Sequence, residues 1–138
     1  MTQSLSAVTL LVPDYDQAID YYVSVLGFNL VEDTALSLTK RWVVVSPSVN
    51  AEPGLNAGPG LMLAKADTDA QTNAIGHQAG DRIFLFLGTD DFATDHARYV
   101  EAGVEFLEEP RHEAYGIVAV FRDAFGNKWD LIERKPTT

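Results

Sequence analysis

Polar and apolar residues alternate near the end of the chain, in the stretch FGNKWDLIE at residues 125–133. Gly126-Asn127 is a strong turn signal, and alternation with a period of two after such a turn is typical of a strand. Its apolar face carries Trp129 and Leu131, and its mixed face carries Lys128, Asp130 and Ile132. An acid on such a mixed face could bind a metal, act in catalysis, hold a cation or pair with an arginine.

A similar order of elements occurs twice along the chain. Residues 10–33 and residues 85–109 each contain an apolar strand, an Asp at a turn, a helical stretch, a Gly and a second strand. Two further strands follow in each half, where RWVVVSP corresponds loosely to GIVAVFRD and GLMLAKA to KWDLIER. Each half is therefore predicted to be a β-α-β-β-β module, and one such module cannot bury its apolar face alone.

The ends of the two predicted helices follow from their flanking residues. Asp14 or Asp16 can accept a hydrogen bond from a free amide of the first helix, and Gly27 ends that helix. Asp91 and Gly103 do the same for the second helix, whose stretch is one residue shorter. The residues predicted to face the core are Ile19, Tyr22, Val23 and Leu26 in the first helix and Ala93, Ala97 and Val100 in the second.

The two modules are expected to form one α+β domain over residues 1–138. Module 1 covers about 4–66 and module 2 about 81–135, with a polar connection containing one short helical turn at about 67–80. Two curved four-stranded sheets, each with a helix on its outer side, are predicted to face one another and to enclose a cleft. Clefts of this kind are where proteins bind small ligands.

The composition narrows the possible functions. The 138 residues are 46% hydrophobic and 22% charged, and no apolar run approaches the ~20 residues that span a bilayer. Because no signal peptide is visible, the cytoplasm is the expected location. The absence of cysteine excludes disulfides and thiolate chemistry. A formal charge of −10 disfavours nucleic-acid binding, and it either keeps the protein soluble or attracts a cationic ligand.

Three stretches, VPDYDQAIDYYVSVLGF, TDDFATDHARYVEAGVEF and DAFGNKWDLIE, resemble the paired βαβββ modules of the vicinal oxygen chelate superfamily. This superfamily includes glyoxalase I, extradiol dioxygenases, fosfomycin-resistance enzymes and the bleomycin-resistance binding proteins. The resemblance covers nearly the whole chain and implies the fold and a homodimer. It does not imply one activity, because the superfamily places many activities on one scaffold.

Metal-dependent members of that superfamily hold a divalent ion through His, Glu or Gln at four positions, two in each module. The resemblance places these positions at Ala7, Met62, Phe84 and Asp130. Three of these four side chains cannot give an oxygen or nitrogen ligand to a hard cation. The expectation is therefore a cleft that binds neither a metal nor another cofactor.

The cleft is expected to bind an organic molecule, because its predicted lining is aromatic and apolar with a few polar groups. Arg82 either clamps a carboxylate of the ligand or pairs with Asp130. Asp130 either neutralises a base or serves the ligand, since a buried carboxylate needs a partner. Tyr115 belongs to a loop, with Arg111 and Glu113, that is either solvated or the rim of the cleft. The residues expected to bind the ligand are Thr9, Trp42, Met62, Arg82, Phe84, Phe86, Tyr115 and Asp130.

The preferred hypothesis is a binding protein of the bleomycin-resistance type that holds a small aromatic or cationic molecule. It is expected to be a homodimer that contacts neither nucleic acid nor membranes. The alternative is an enzyme, a lyase, isomerase or dioxygenase, using the same cleft with a non-standard metal site or by acid/base chemistry. Its candidate catalytic residues are Asp130 and Arg82, assisted by Glu113 or His77. A third possibility is a domain that mainly dimerises.

Overall fold

The computed structural model of the chain describes residues 2–48 and 59–136. The chain divides into two compact units, one up to Ile75 and one from Gly76. The first contains β1 (Ala7–Val12), α1 (Tyr15–Ile19) with a π-helical continuation (Asp20–Val25), β2 (Asn29–Ala35), β3 (Arg41–Ser46), β4 (Gly60–Lys65) and α2 (Asp69–Ala74). The second contains β5 (Gln78–Asp81), β6 (Leu85–Gly88), α3 (Phe92–Glu101), β7 (Glu105–Phe106), β8 (Arg111–Glu113), β9 (Gly116–Arg122) and β10 (Lys128–Arg134). None of the described helices is long and apolar enough to cross a membrane.

The first unit is built on a four-stranded sheet with the strand order β1-β4-β3-β2. β1 runs parallel to β4, and the other neighbouring strands are antiparallel. One face of this sheet packs with the first helix, because alternate strand residues and one stripe of the helix are both apolar. The buried residues are Leu10, Val12, Val43, Val45, Leu61 and Leu63 in the strands and Tyr15, Ala18, Tyr22 and Leu26 in the helix.

Of the two predicted capping residues, Asp14 and Asp16, it is Asp14 that begins the first helix, and its carboxylate accepts a hydrogen bond from the amide of Gln17 at 2.9 Å. After α1 the helix continues as a π-helix, and the amide of Leu26 donates to the carbonyl of Tyr21, five residues earlier. A π-helical turn holds one more residue than an α-helical turn, which explains why this stretch is one residue longer than its counterpart. The wider turn changes which residues face the core.

Two residues of the predicted stripe of the first helix are therefore not fully buried. Tyr22 and Leu26 are buried as predicted, whereas Ile19 and Val23 are half-buried. Ala18 is fully buried instead. The α-helical period from which the stripe was predicted does not hold through the π-helical segment.

The second unit contains a five-stranded sheet in the order β6-β10-β9-β7, with β8 also paired to β9. β6 runs parallel to β10, just as β1 runs parallel to β4 in the first unit. These two sheets and few helices confirm the predicted α+β class. The second sheet has five strands instead of the predicted four because Arg111–Glu113, which was predicted to be a loop, pairs with β9.

The helix of the second unit, α3, begins as predicted at Asp91, whose carboxylate accepts a hydrogen bond from an amide of the first turn. Its core face is aromatic. Phe92 and Tyr99 are buried. His96 lies between two phenylalanine rings, with centroids 5.4 Å from that of Phe92 and 4.4 Å from that of Phe106. Aromatic burial and ring contacts therefore attach the helix to its unit.

The predicted inward face of α3 is wrong. Ala93 and Ala97 are exposed, and Val100 is 53% exposed. The physical reason is the difference in apolar area, because an aromatic ring buries several times the surface of an alanine methyl group. The helix therefore turns its aromatic residues toward the sheet.

A buried carboxylate, Asp123, holds the turn between β9 and β10. It accepts hydrogen bonds from the indole Nε1 of Trp129 at 3.0 Å and from the side-chain Nδ2 of Asn127 at 3.0 Å. The main-chain amides of Phe125 and Asn127 donate to its other oxygen at 2.9 and 3.0 Å. Gly126 supplies the left-handed residue of the turn, with a φ of 93°. This network fixes where β10 begins and so which way its side chains point.

Candidate functional site

The second sheet has an open face, opposite α3, that carries the alternate residues of three strands. Trp129 and Leu131 of β10 are buried on the α3 side, as the alternation predicted. In the register of the sheet, Asp130 lies between Phe86 of β6 and Val120 of β9. The residues of the open face are Phe86, Val120, Arg122, Lys128, Asp130 and Ile132, whereas Val118, on the same side of the sheet, is fully buried.

A cavity of about 610 Å³ lies at this face. Ligand pockets in proteins are usually about 300–1,000 Å³, so the cavity has the size of a small organic ligand. Two of its lining side chains are large, apolar and exposed, with Phe86 67% and Leu107 40% exposed. The apolar lining residues are Ile83, Phe86, Leu107 and Val120, and the charged ones are Asp81, Arg82, Glu108 and Lys128. A ligand that covered these apolar side chains would be stabilised by the hydrophobic effect.

Asp130 is half-buried between Phe86 and Val120, which line the cavity, but it is not itself a lining residue. Its Oδ1 atom is buried and has no hydrogen-bond partner among the described residues. Burial raises the pKa of Asp130, the charge of Arg111 lowers it, and the charge of Glu108 raises it further. Asp130 forms no ion pair with a base in the described part of the chain, so the pairing with Arg82 considered from the sequence is not formed. A ligand cannot reach the buried Oδ1 directly, but a hydrogen-bond donor at the less buried Oδ2 would stabilise the carboxylate.

Arg111 is occupied by two other carboxylates. Its Nε donates to Glu108 Oε1 and its Nη1 to Glu113 Oε1, both at 2.9 Å, and these hydrogen bonds raise the pKa of Arg111. The second oxygen of Glu108 accepts a hydrogen bond from the amide of Val120 at 2.9 Å. The amide of Leu107 donates to the carbonyl of Val120, also at 2.9 Å. The cavity wall is therefore tied to β9, and the cluster of Arg111, Glu108 and Glu113 carries one net negative charge.

The other end of the open face is basic. Lys128 lies opposite Arg122 in the register of β10 and β9, and its Nζ donates to the main-chain oxygen of Asp81 at 3.3 Å. Arg122 pairs with Glu105 at 3.0 Å. Arg82 and Lys128 form no ion pair with a carboxylate of the described residues. The open face therefore has unpaired cations at one end and an excess of carboxylates at the other.

The first unit brings three of the predicted ligand residues onto one face of its own sheet. Thr9 lies opposite Met62 in the register of β1 and β4, and Met62 lies opposite Val44 in that of β4 and β3. Trp42 is two residues from Val44 and so on the same face. Trp42 is 38% exposed, and its Nε1 donates to Glu32 Oε2 at 2.6 Å. The indole N–H is thus satisfied, and the exposed ring remains for apolar contacts.

The remaining predicted residues belong to the second unit. Arg82 lines the cavity. Phe84 is half-buried just before β6, and its amide donates to the carbonyl of Lys128 at 2.9 Å. Tyr115 lies between β8 and β9, is 46% exposed and contributes to the raised pKa of Arg111. That these residues contact a ligand stays a prediction.

Six residues of the cavity were missed by sequence reasoning, namely Asp81, Ile83, Leu107, Glu108, Val120 and Lys128. Lys128 shares the mixed face of its strand with Asp130, so the alternation of β10 could have identified it. Leu107 and Glu108 reach the cavity only because their segment pairs with β9, twelve or more residues later in the chain. No local pattern signals that pairing.

The four metal positions implied by the resemblance do not provide a set of ligands. Ala7, Met62 and Phe84 carry no oxygen or nitrogen in their side chains, which leaves Asp130 alone. Within residues 2–48 and 59–136, no three His, Cys, Asp or Glu side chains form a group that could hold a metal ion. A hard divalent ion needs several oxygen or imidazole ligands, so these residues do not fit the metal site of the superfamily.

Comparisons with known proteins agree with the fold. The chain matches the family model of the Glyoxalase/Bleomycin resistance protein/Dioxygenase superfamily over residues 4–131. An uncharacterized protein of Shewanella frigidimarina (strain NCIMB 400) is 50% identical over 134 residues, which is 96% of this chain and 95% of that protein. Among solved structures, UcmS2 is 29% identical, with a TM-score of 0.78 over 96% of this chain and 98% of that chain. TnmS3, an antibiotic binding protein from Streptomyces sp. CB03234, is 26% identical, with a TM-score of 0.71 over 97% and 98%.

Proposed function

The chain belongs to the glyoxalase/bleomycin resistance protein/dioxygenase superfamily, and from this premise we propose that it binds a small aromatic molecule at the open face of its second unit, without a metal. The observation that carries the proposal is the cavity of about 610 Å³, whose lining residues Phe86 and Val120 flank Asp130 in the register of the sheet. Its apolar side chains suit an aromatic ring, because such a ring has a large apolar surface. Each Å² of this surface that is removed from water contributes about 25 cal/mol to binding. The similarity to TnmS3, an antibiotic binding protein, supports binding of a small molecule.

Asp130 indicates a second feature of the expected ligand, which is a hydrogen-bond donor or a positive charge. Its unpartnered Oδ1 and its raised pKa are both consequences of burial without a donor. An ammonium group beside it would stabilise the charged carboxylate, and the negative charge of the whole chain would attract such a ligand. The expected ligand is therefore an aromatic molecule with a cationic or donor group.

Calorimetric titration with 2-naphthylmethylammonium tests the proposal, because this probe joins an aromatic plate to a cation. We expect a Kd below about 1 mM, equivalent to at least about 4 kcal/mol of binding free energy. Asp130→Asn should weaken binding about tenfold, since it removes a charge-assisted hydrogen bond. The neutral analogue 2-naphthylmethanol should bind more weakly than the ammonium to the unmodified protein.

Two matched tryptophan variants locate the site. Val120→Trp fills the cavity and should abolish binding, whereas Val100→Trp makes the same change on the exposed side of α3 and should leave the Kd unchanged. Treatment with a chelator should also leave the Kd unchanged. Absence of millimolar binding, or equal effects of the two tryptophan variants, would contradict the proposal.

An enzyme that uses the same face is the second candidate, a lyase, isomerase or dioxygenase. One observation favours it: the raised pKa of Asp130, because general acids and bases often have a perturbed pKa. Mass spectrometry of candidate substrates after long incubation distinguishes the two functions. Conversion of a substrate that is lost in Asp130→Asn would favour the enzyme, and recovery of unchanged ligand would favour the binding protein.

The assembly and location that we propose are a homodimer in the cytoplasm that does not bind nucleic acid. Two-fold dimers are the commonest soluble oligomers, and the acidic chain repels phosphate backbones. Light scattering measures the oligomeric state directly. We also keep Thr9, Trp42 and Met62 as proposed ligand contacts on the sheet of the first unit.

A further inference from the structure

We propose that the ligand also carries an acidic oxygen, a carboxylate or an ionised phenol, and that Arg82 and Lys128 bind it. The inference rests on the proposed function, because it concerns the second end of the same ligand. It changes the expected ligand from a simple aromatic cation to an amphoteric aromatic molecule. The basic end of the open face is the feature that requires this second group.

The backbone brings the two cations to one edge of the cavity. The amide of Phe84 bonds to the carbonyl of Lys128 at 2.9 Å, and Arg82 is two residues before Phe84. The Nζ of Lys128 reaches the main-chain oxygen of Asp81, the neighbour of Arg82, at 3.3 Å. Both side chains line the cavity that also contains Phe86. The guanidinium and the ammonium are therefore placed to approach a single group on the ligand.

Neither cation is neutralised within the described residues. The Lys128 ammonium donates to a neutral carbonyl, and Arg82 has no carboxylate partner in the part of the chain that the structure describes. Arg122 in the adjacent strand is different, because Glu105 pairs with it at 3.0 Å. A guanidinium and an ammonium without carboxylates, at the edge of an apolar cavity, suit an anionic oxygen.

One acid competes with the ligand at this end, since Asp81 also lines the cavity. Asp81 is exposed and forms no ion pair with either cation, so this end of the cavity has two positive charges and one negative charge. The four charged residues of the lining are balanced overall, in contrast to the formal charge of −10 of the whole chain. The repulsion that the whole chain exerts on anions is therefore offset at this edge.

The spacing of the two charged ends defines the length of the ligand. Lys128 and Asp130 are two residues apart on one strand face, which corresponds to roughly 7 Å. Phe86 and Val120 flank Asp130 across the sheet and provide apolar contacts between the ends. One ring or two fused rings, with the acid and the donor at opposite ends, match this arrangement.

Calorimetric titration with 6-(aminomethyl)-2-naphthoate tests the inference against 2-naphthylmethylammonium, which lacks only the carboxylate. The added carboxylate should lower the Kd about tenfold, as expected for a charge-assisted hydrogen bond, and the gain should decrease with added salt. Arg82→Gln or Lys128→Gln should remove the gain, measured as the ratio of the Kd values of the two probes for the same variant. Asp81→Asn, which removes the competing acid, should increase the gain.

Lys65→Gln is the matched control, because it removes the same charge from an exposed position at the end of β4 in the first unit. It should leave the gain unchanged. If the ammonium probe binds and the carboxylate adds nothing, or if Lys65→Gln acts like Lys128→Gln, the inference is wrong and the proposed function stands. If neither probe binds, both are wrong.

Discussion

Replacing Asp130 with Asn separates the two roles that this residue could have. If Asp130 is a structural acid that neutralises a base, the neutral variant loses a favourable interaction and the protein becomes less stable. If Asp130 instead binds a ligand and has no partner in the free protein, the variant removes a poorly solvated charge and the protein becomes more stable. The geometry supports the second outcome, because Arg111 is already paired with Glu108 and Glu113.

The expected change in the free energy of unfolding follows from the buried Oδ1 atom of Asp130. A buried polar group without a partner costs about 1–3 kcal/mol. Asp130 is only half-buried, and the amide of Asn keeps part of this cost, so the lower limit applies. We therefore expect Asp130→Asn to increase the free energy of unfolding by about 1 kcal/mol at neutral pH.

The effect should depend on pH in a defined direction. Because the pKa of Asp130 is raised in the folded state, folding favours its protonated form. The cost of the carboxylate is fully present above the raised pKa and disappears as the pH falls below the ordinary value of about 3.9. The gain from Asp130→Asn should therefore be present at pH 7 and absent near pH 3.5, by the linkage relation.

Urea denaturation at these two pH values, followed by tryptophan fluorescence, measures the difference. Asp90→Asn is the control, because Asp90 is exposed and its replacement should change stability little at either pH. A variant that is less stable than the original protein at pH 7 would refute the reasoning, since Asp130 would then have a stabilising partner.

Three further changes test other parts of the structure. Asp123→Ala should lower the free energy of unfolding by about 3 kcal/mol in urea denaturation, because it leaves several buried donors without an acceptor; a loss below about 1 kcal/mol would contradict this. Gly116→Ala should cost at least about 2 kcal/mol, because its methyl group would overlap main-chain atoms of β10, while Gly88→Ala, with open space around it, should be close to neutral. Burial raises the pKa of Tyr99 to about 12, so ultraviolet titration should show a late-ionising tyrosine that is missing in Tyr99→Phe, and stability should fall between about pH 10 and 12.

Much of the fold could be predicted from short-range patterns. The alternation in β10 gave the correct two faces, and Asp14 and Asp91 begin their helices as predicted. These signals are local. A capping side chain bonds to an amide three residues away, and successive side chains of a strand point to opposite faces of the sheet. The sequence also indicated two repeated modules, and the two sheets have matching strand orders, which were not themselves predicted.

The errors lie where distant contacts decide the structure. The buried face of α3 depends on the rings that it meets in the sheet, and the sequence could not show that His96 packs against Phe106. Glu108 enters the site through one hydrogen bond to Val120, and no periodicity signals such a contact. The π-helical segment had one visible trace, the extra residue between Asp14 and Gly27, which could have indicated the wider turn.

The most direct test of the account is a two-dimensional ¹H–¹⁵N NMR titration of the protein with 6-(aminomethyl)-2-naphthoate. The account predicts saturable shifts of the amides around Phe86, Val120, Lys128 and Asp130, the open face of the second unit. The amides of the exposed side of α3, such as that of Val100, should not shift. Shifts centred on α3, or none at millimolar probe, would contradict the claim that this face is a ligand site.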